Sequence, residues 1–192
     1  MSAYSAILAD EVGLEPERCE LIRVASPLHD VGKIGVPDSI LRKPGKHTPD
    51  EFEVMKQHAV FGYRTLTGTG FALLDVAATI AWTHHERWEG SGYPRGLKGD
   101  QIPIEGRIVA IADVYDALTT KRVYKPAFTV ERSLEIMREG KGRHFDPILL
   151  ECFFRRFDEI QAGWRDGKHQ ITDRNLMVDG LMKQFIASVD EA

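Results

Sequence analysis

The stretch Ser26-Pro27-Leu28-His29-Asp30-Val31-Gly32-Lys33-Ile34-Gly35 lies at the end of a helical pattern and directs the interpretation of the whole chain. The residues before it repeat apolar side chains at the three-to-four-residue spacing of an amphipathic helix. Pro27 falls inside that pattern and is expected to kink or break the helix just before His29 and Asp30. The sequence therefore places an imidazole and a carboxylate side by side at a bend in a helix.

Helical periodicity continues along most of the chain, and no strand longer than a few residues is predicted. The motif Thr48-Pro49-Asp50-Glu51 predicts a helix start, because a capping threonine, a first-turn proline and a following glutamate form a capping box. Further helices are predicted over residues 2–12, 72–86, 104–119 and 130–139, and from Asp146-Pro147 through the 150s. The predicted fold class is all-α.

The chain divides into a predicted domain at residues 1–160 and a predicted C-terminal helical extension at residues 161–192. Apolar residues recur at helical spacing in the extension, which either mediates a homodimer or covers the core of its own chain. Between residues 87 and 101 the periodicity stops, and glycines mark a loop of about 15 residues. A loop of that length favours a functional role over a simple connection.

Composition narrows the classes of function. The 192 residues include 25 Lys plus Arg and 29 Asp plus Glu, which gives a formal net charge of −4. That balance argues against a DNA-binding protein and a polybasic membrane binder. No apolar run reaches the roughly 18 residues of a membrane span. The two cysteines form neither a metal-type pair nor a disulfide framework, so a cytoplasmic protein is predicted.

Adjacent residues with ligating side chains suggest a metal site. His29 and Asp30 would diverge by about 100° on a regular helix. Either the backbone bends so that both reach one ion, or Asp30 bridges two ions. His84 and His85, if they lie on a helix, would straddle two ions about 3.5–4 Å apart, the spacing of two-metal hydrolases.

His58 and Asp113 are further candidate ligands on predicted helices. Asp113 follows a run of apolar residues, and a buried carboxylate must be paired, hydrogen-bonded or bound to a metal. Imidazoles and carboxylates without thiolates fit Fe, Mn, Ni or Zn in an open hydrolytic site rather than a closed structural zinc site. Such sites activate water and hold phosphoryl oxygens.

A single lysine and a cluster of basic and aromatic residues suit a substrate that contains phosphate. Lys33, four residues after His29, lies on the same side if helical geometry persists, where it would meet a substrate phosphate. Arg122, Tyr124 and Lys125 combine cations with an aromatic ring, a combination that suits a nucleotide. The alternative interpretation is that Lys33 and this cluster are solvated surface residues.

Taken in order, the motifs closely resemble the HD-GYP subgroup of the HD phosphohydrolase superfamily. The resemblance runs from about residue 3 to about residue 155. Glu89 stands where the family usually has Asp, a change that keeps the charge. The matching blocks are residues 29–35, 37–38 and 55–58, His84-His85-Glu86, Gly92-Tyr93-Pro94, and residues 112–119, 122–125 and 144–147.

This resemblance implies an HD-domain helical bundle with a metal centre between its helices, di- or trinuclear and commonly of iron or manganese. It also implies hydrolysis of cyclic di-GMP to linear pGpG and then to GMP. The implied metal ligands are His29, Asp30, His58, His84, His85 and Asp113. Asp30 and Lys33 are implied to be catalytic, with Lys33 at the scissile phosphate. The implied substrate-binding residues are Lys33, Tyr93, Arg122 and Lys125.

The resemblance extends to partners and to the length of the protein. Family members often follow receiver or sensor domains and interact with diguanylate cyclases. A further histidine ligand of the family would fall upstream of Met1, so the chain is expected to be truncated or naturally short, with at least one ion held weakly. The missing histidine keeps one alternative open, a nucleotide-binding regulatory module that hydrolyses poorly. A second alternative is a phosphodiesterase for another cyclic dinucleotide such as cyclic GMP-AMP, because the sequence does not discriminate guanine from adenine.

Overall fold

The computed structural model describes residues 1–120 and 127–167, with side chains described as far as residue 162. Within those ranges the backbone forms helices and turns, with one isolated bridge between Lys141 and Phe145 and no strand. The all-α prediction is confirmed. The α-helices are α1 (Ser2–Glu11), α2 (Pro16–Ala25), α3 (Asp38–Leu41), α4 (Pro49–Leu66), α5 (Ala72–Thr83), α6 (Ile104–Thr119), α7 (Val130–Glu139), α8 (Pro147–Arg155) and α9 (Phe157–Gly167).

The chain forms two compact units, Met1–Arg156 and Phe157–Ala192. Helices α1 to α8 belong to the first unit, and α9 is the described part of the second. Most of the extension predicted at residues 161–192 lies outside the described residues, so that boundary and its helix stay predictions. No helix in the described part of the chain is long and apolar enough to cross a membrane.

Capping residues set the helix starts that the sequence predicts. The Thr48 hydroxyl accepts a hydrogen bond from the backbone N–H of Glu51 at 3.3 Å, and the Thr48 N–H donates to the Glu51 carboxylate at 2.7 Å. These two bonds form the predicted capping box of α4. At α8, the Asp146 carboxylate accepts from the N–H of Ile148 at 2.8 Å. Both predicted starts are confirmed.

The helix break predicted at Pro27 is also confirmed. Helix α2 ends at Ala25, and the chain continues as a 3₁₀ segment, Ser26–Gly35. Proline lacks an N–H and its ring clashes with the preceding turn, so the α-helical hydrogen-bond pattern cannot continue unchanged. The tighter 3₁₀ winding then carries His29 and Asp30.

Glycines let the backbones of neighbouring helical segments approach closely. A Cβ atom on Gly32 would lie 2.0 Å from the His58 carbonyl oxygen and 2.3 Å from the Gly62 nitrogen. The 3₁₀ segment therefore lies directly on the backbone of α4. A Cβ atom on Gly106 would lie 2.1 Å from the Thr83 hydroxyl, so α6 meets the C-terminal end of α5 in the same way.

The core lies between α5, α6 and the helices around them. Helix α4 packs against α5 and the 3₁₀ segment, while α6 packs against α1, α5, α7 and α8. Burying these large apolar side chains supplies the main stabilisation of the fold. Fully or almost fully buried residues include Leu8, Ile22, Ile80, Ile108, Ile111, Met137, Leu149, Leu150 and Phe153.

Two helix ends differ from the sequence predictions. Helix α5 was expected to reach Glu86 but ends at Thr83, so the pair His84-His85 lies in the turn after the helix. The carbonyl of His85 accepts from the N–H of Tyr93 at 3.2 Å, and that of Thr83 accepts from the N–H of Glu86 at 3.0 Å. These bonds replace the next helical turn. The last predicted helix is likewise interrupted, with α8 ending at Arg155 and α9 starting at Phe157.

Candidate metal centre

Four ligating side chains from three segments converge at one point. Asp30 comes from the 3₁₀ segment, His58 from α4, and His84 and His85 from the turn after α5. Each offers one ligand atom, and these atoms all lie within 4.8 Å of one another. The expectation that adjacent histidines straddle two ions assumed a helix at residues 84–85. That assumption is wrong, because the turn brings both rings beside Asp30 and His58.

Three of these ligand atoms are buried without a hydrogen-bond partner. They are Asp30 Oδ1, His58 Nε2 and His84 Nε2. Asp30 Oδ1 lies 3.4 Å from His58 Nε2 and 3.9 Å from His84 Nε2. Buried polar atoms without partners are destabilising. A group of three facing one another therefore indicates a ligand that binds to all of them.

Backbone carbonyl groups determine which nitrogen is protonated in three of the imidazole rings. His29 Nδ1 lies 2.8 Å from the carbonyl oxygen of Ser26, and His58 Nδ1 lies 2.8 Å from that of Met55. His84 Nδ1 lies 3.0 Å from the carbonyl of Ile80. A carbonyl oxygen only accepts, so Nδ1 carries the proton in each ring. In the neutral ring, Nε2 then has a free lone pair for a metal.

Burial keeps the inner imidazoles neutral. Burial lowers the pKa of His58, and burial together with repulsion between the adjacent His84 and His85 rings, were both protonated, lowers the pKa of His84 well below its usual value. Burial, reinforced by His58, lowers the pKa of His85 to about 3. Neutral imidazole is the form that binds metals.

His29 and Asp113 form a second group beside the first. His29 Nε2 lies 3.3 Å from Asp30 Oδ2 and 3.6 Å from Asp113 Oδ1. Burial alone would lower the pKa of His29, but the hydrogen bond to Asp30 and the two carboxylate charges outweigh it and raise that pKa. The two oxygens of Asp30 thus face different groups, with Oδ1 toward His58 and His84 and Oδ2 toward His29.

Lys33 lies at the open side of this carboxylate. Its ammonium is 2.5 Å from Asp30 Oδ2, and 42% of its side chain is exposed. Burial acts to raise the pKa of Asp30, but the hydrogen bonds with His29 and Lys33 outweigh it and hold that pKa well below its usual range. Asp30 is therefore ionised at neutral pH, as a metal ligand must be.

The family is shown by the sequence match. Residues 1–149 match the family described as HD domain. This chain belongs to the HD domain family. The resemblance drawn from the motifs is confirmed, and the match includes every candidate ligand of the metal centre.

This HD domain spans less than half the length of the named relatives that it matches. It is 48% identical over 155 residues to "Cyclic di-GMP phosphodiesterase response regulator RpfG" of Xanthomonas campestris pv. campestris, covering 81% of this chain and 41% of that protein. It is 49% identical over 162 residues to "3'3'-cGAMP-specific phosphodiesterase 2" of Vibrio cholerae, covering 84% of this chain and 31% of that protein.

A solved structure shares the fold of this HD domain. The crystal structure of a cyclic GMP-AMP specific phosphodiesterase of V. cholerae, V-cGAP3, matches with a TM-score of 0.67 and 17% sequence identity. The match covers 92% of this chain and 46% of the other. At that identity the likeness supports the helical architecture alone.

Tyr93, a predicted substrate-binding residue, lies at the outer edge of the candidate metal centre. Its ring stacks on that of His85, with centroids 4.7 Å apart and 29° between the planes. Burial raises the pKa of Tyr93 above its usual value, so its hydroxyl stays protonated at neutral pH. Two further predicted substrate-binding residues, Arg122 and Lys125, lie outside the described residues.

Glu86 is a residue whose part in the site the sequence did not reveal. Its carboxylate is 2% exposed and accepts from the N–H groups of Arg95 at 2.8 Å and Leu97 at 2.9 Å. The Arg95 guanidinium lies over the Trp82 ring at 4.5 Å. Glu86 therefore holds the loop that carries Tyr93. The available signal was a carboxylate between an apolar helix and a glycine-rich loop, since a buried carboxylate needs donors.

The residues of this HD domain fit a divalent metal. The chemistry of the set is imidazole and carboxylate without thiolate, which suits Fe, Mn, Ni or Zn. The three unpartnered atoms face one another, and the rings that carry two of them are oriented by backbone carbonyls. Orientation by a hydrogen bond to the second nitrogen is what metal-binding histidines generally show.

Proposed function

We propose that this chain is a metal-dependent phosphodiesterase domain that hydrolyses cyclic di-GMP to linear pGpG, to GMP or to both, in bacterial second-messenger signalling. The observation that carries the proposal is the convergence of three unpartnered ligand atoms beside the half-exposed cation of Lys33. A relative 48% identical to the chain, named as a cyclic di-GMP phosphodiesterase, supports the choice of substrate.

The metal centre we propose is di- or trinuclear, with iron or manganese favoured over nickel or zinc. Its ligands would be His29, Asp30, His58, His84, His85 and Asp113. The cluster around Asp30 Oδ1 supports one position, and the neighbourhood of Asp30 Oδ2 with His29 and Asp113 supports a second. When bound, divalent ions supply Lewis acidity for water and for a phosphoryl oxygen.

The chain's own catalytic groups would be Asp30 and Lys33. The Asp30 carboxylate, with oxygens facing both groups of ligands, would bridge the two positions and set their separation. The Lys33 ammonium reaches the same carboxylate from the exposed side, where it would pair with a phosphate oxygen and stabilise the charge that develops there. Lys33, Tyr93, Arg122 and Lys125 would bind the substrate.

The first test is hydrolysis of cyclic di-GMP by the chain prepared anaerobically with Fe(II) or Mn(II), with the products separated by chromatography. Formation of pGpG or GMP is expected. Tight binding of cyclic di-GMP without product would identify a regulatory binding module instead. Absence of both binding and hydrolysis, in a folded chain that holds metal, would overturn the proposal.

Substitutions separate the proposed roles. Asp30→Asn is expected to abolish hydrolysis and to lower the metal content measured by elemental analysis, because a bridging carboxylate loses one anionic oxygen. Lys33→Met is expected to keep the metal and to lower kcat about a hundredfold, since a charged contact to the reacting phosphate is lost. Lys46→Met, which removes an exposed lysine elsewhere, is the control. Unchanged metal content in Asp30→Asn would refute the bridging role.

Cyclic GMP-AMP is a second candidate substrate. A relative named as a 3'3'-cGAMP-specific phosphodiesterase is 49% identical over 162 residues, so identity does not separate the two substrates. The ratio of kcat/KM for the two cyclic dinucleotides decides between them. A ratio that favours cyclic GMP-AMP would replace the proposed substrate and leave the reaction class unchanged.

We further propose a cytoplasmic setting and a multidomain protein. Cys19 and Cys152 are free thiols, which suits a reducing compartment. The name of the relative as a response regulator supports a receiver or sensor domain preceding an HD domain at residues 1–160. Diguanylate cyclases and, through the extension at residues 161–192, a second copy of the chain are the proposed protein partners.

A further inference from the structure

An aromatic series leads from the buried metal centre to the solvent. His58 is 1% exposed and lies 4.9 Å from His85, measured between ring centroids. His85 stacks on Tyr93, and Tyr93 meets the ring of Phe52 edge-on at 6.2 Å. Phe52, on the first turn of α4, is 46% exposed. The series therefore ends on a large apolar ring that is open to the solvent.

Lys56 connects the last two rings of this series. It follows Phe52 by four residues on α4, so both side chains lie on one face of the helix. Its ammonium lies 5.6 Å from the centroid of Phe52 and 5.7 Å from that of Tyr93. Glu53 fixes the ammonium through a contact of 2.6 Å. Cation–π attraction to both rings favours this arrangement and thereby sets the position of Phe52 relative to Tyr93.

We propose that Phe52 is a base-stacking residue of the substrate site and that Lys56 is the positioning residue that holds its ring next to Tyr93. The proposal rests on the proposed function, because only a nucleotide substrate brings a base to this position. A cyclic dinucleotide whose phosphate lies at Lys33 must extend its sugars and bases outward. Aromatic rings at the edge of a phosphate site are the surfaces on which bases stack.

The chemistry of the Phe52 ring also predicts that stacking on it does not discriminate between guanine and adenine. A phenyl ring offers an apolar face and no hydrogen-bonding group, and stacking tolerates every base. Phe52 is therefore expected to contribute equally to the binding of cyclic di-GMP and of cyclic GMP-AMP. Discrimination between guanine and adenine has to come from polar groups elsewhere.

The test compares four variants by steady-state hydrolysis of both cyclic dinucleotides. Phe52→Leu keeps an apolar side chain and removes the ring, and KM is expected to rise roughly tenfold for both substrates with little change in kcat, because stacking on a base is lost. Phe52→Trp is expected to keep or lower the KM. Phe71→Leu removes a ring that is equally exposed, at 45%, from the start of α5 and is expected to leave KM unchanged.

The fourth variant and its rescue test the positioning role of Lys56. Lys56→Met is expected to raise KM severalfold with the metal content intact, since the ring of Phe52 is no longer held. Lys56→Arg, which restores a cation over the rings, is expected to recover most of the loss. A purely structural role would instead lower the thermal stability of Lys56→Met and leave KM as it is, which would overturn the positioning role.

The outcomes for Phe52 and for the proposed function are distinguishable. If the wild-type chain hydrolyses a cyclic dinucleotide and Phe52→Leu matches Phe71→Leu in KM, the stacking role is wrong and the proposed function stands. If hydrolysis is absent, the Kd of a fluorescent cyclic di-GMP analogue replaces KM as the readout. A Kd that is unaffected by Phe52→Leu, or an absence of binding by the wild type, would overturn the stacking role.

Discussion

His29, His58 and His84 are oriented by carbonyl groups of their own helical segments, whereas Tyr93 is oriented by ring stacking and a clamped loop. We call these three histidines, together with Asp30 and His85, the inner half of the candidate metal centre, and the loop at residues 86–97 its outer half. The segments of the inner half meet backbone to backbone at Gly32. The loop of the outer half is held by side chains in addition to backbone bonds, because the Glu86 carboxylate accepts from two of its N–H groups and the Tyr93 ring stacks on His85. Binding of metal should therefore depend on the first and binding of substrate on the second.

Removal of the proposed metal ions should affect the inner half most. An ion at about a thousand times its Kd stabilises the folded state by about 4 kcal/mol. Treatment with a chelator is therefore expected to lower the Tm in differential scanning calorimetry, and added Mn(II) is expected to restore it. The Asp30→Asn variant should respond far less to both. An identical Tm with and without chelator in the wild type would contradict a metal held by the inner half.

The contact between backbones in the inner half predicts the next largest effect. In Gly32→Ala, the new Cβ would lie 2.0 Å from the His58 carbonyl, so the 3₁₀ segment and α4 must separate. The free energy of unfolding is expected to fall by about 3 kcal/mol, measured by urea denaturation. Gly35→Ala in the same segment meets the Phe61 ring at 2.7 Å, which can rotate away, and should lose much less. Equal losses would argue against a rigid contact at Gly32.

In the outer half, Glu86→Gln tests the loop clamp. The amide keeps the shape but has one accepting oxygen in place of two, so one of the bonds from Arg95 and Leu97 is lost, at a cost of about 2 kcal/mol. KM for cyclic di-GMP, the proposed substrate, is expected to rise while the metal content per chain stays at the wild-type value. Glu20→Gln on the surface of α2 is the control. A parallel loss of metal would show that the two halves are not separable.

The smallest effect is expected at the outer end of the same loop. The Arg95 guanidinium lies over Trp82 at 4.5 Å, and Trp82 stacks on Tyr63 at 4.0 Å. Arg95→Leu removes an exposed cation–π contact and should lower the free energy of unfolding by about 0.5–1 kcal/mol. A double-mutant cycle with Trp82→Leu measures the coupling. Additive effects of the two substitutions would indicate that the contact between Arg95 and Trp82 contributes nothing to stability.

The helix starts and the helix break were predicted correctly because they depend on neighbouring residues in the sequence. The starts of α4 and α8 follow from caps at Thr48 and Asp146, and the break after Ala25 follows from Pro27. Each depends on residues within one turn, so a single sequence suffices. The resemblance implied a shared site for six side chains, and the structure brings them together: His29, Asp30, His58, His84, His85 and Asp113.

Contacts between distant residues account for what the sequence missed. The segment Thr83-His84-His85-Glu86 contains no helix-breaking residue, so local propensity extended α5 too far. The helix ends there because bonds with the returning loop, such as that from the N–H of Tyr93 to His85, replace the helical ones. The contact between Phe52 and Tyr93 also joins residues 41 positions apart in the chain, which no periodicity reveals.

The bonds from the inner histidines to backbone carbonyls have one more consequence. The carbonyl partners, Ser26, Met55 and Ile80, lie only three or four residues before the histidine that each one orients. Each of these histidines is thus oriented by a carbonyl group of its own helical turn. The imidazole rings therefore lose little rotational entropy when an ion binds, and tertiary packing has only to bring the three turns together. Such a design lets the surrounding sequence diverge widely, provided that three short helical turns keep their relative placement.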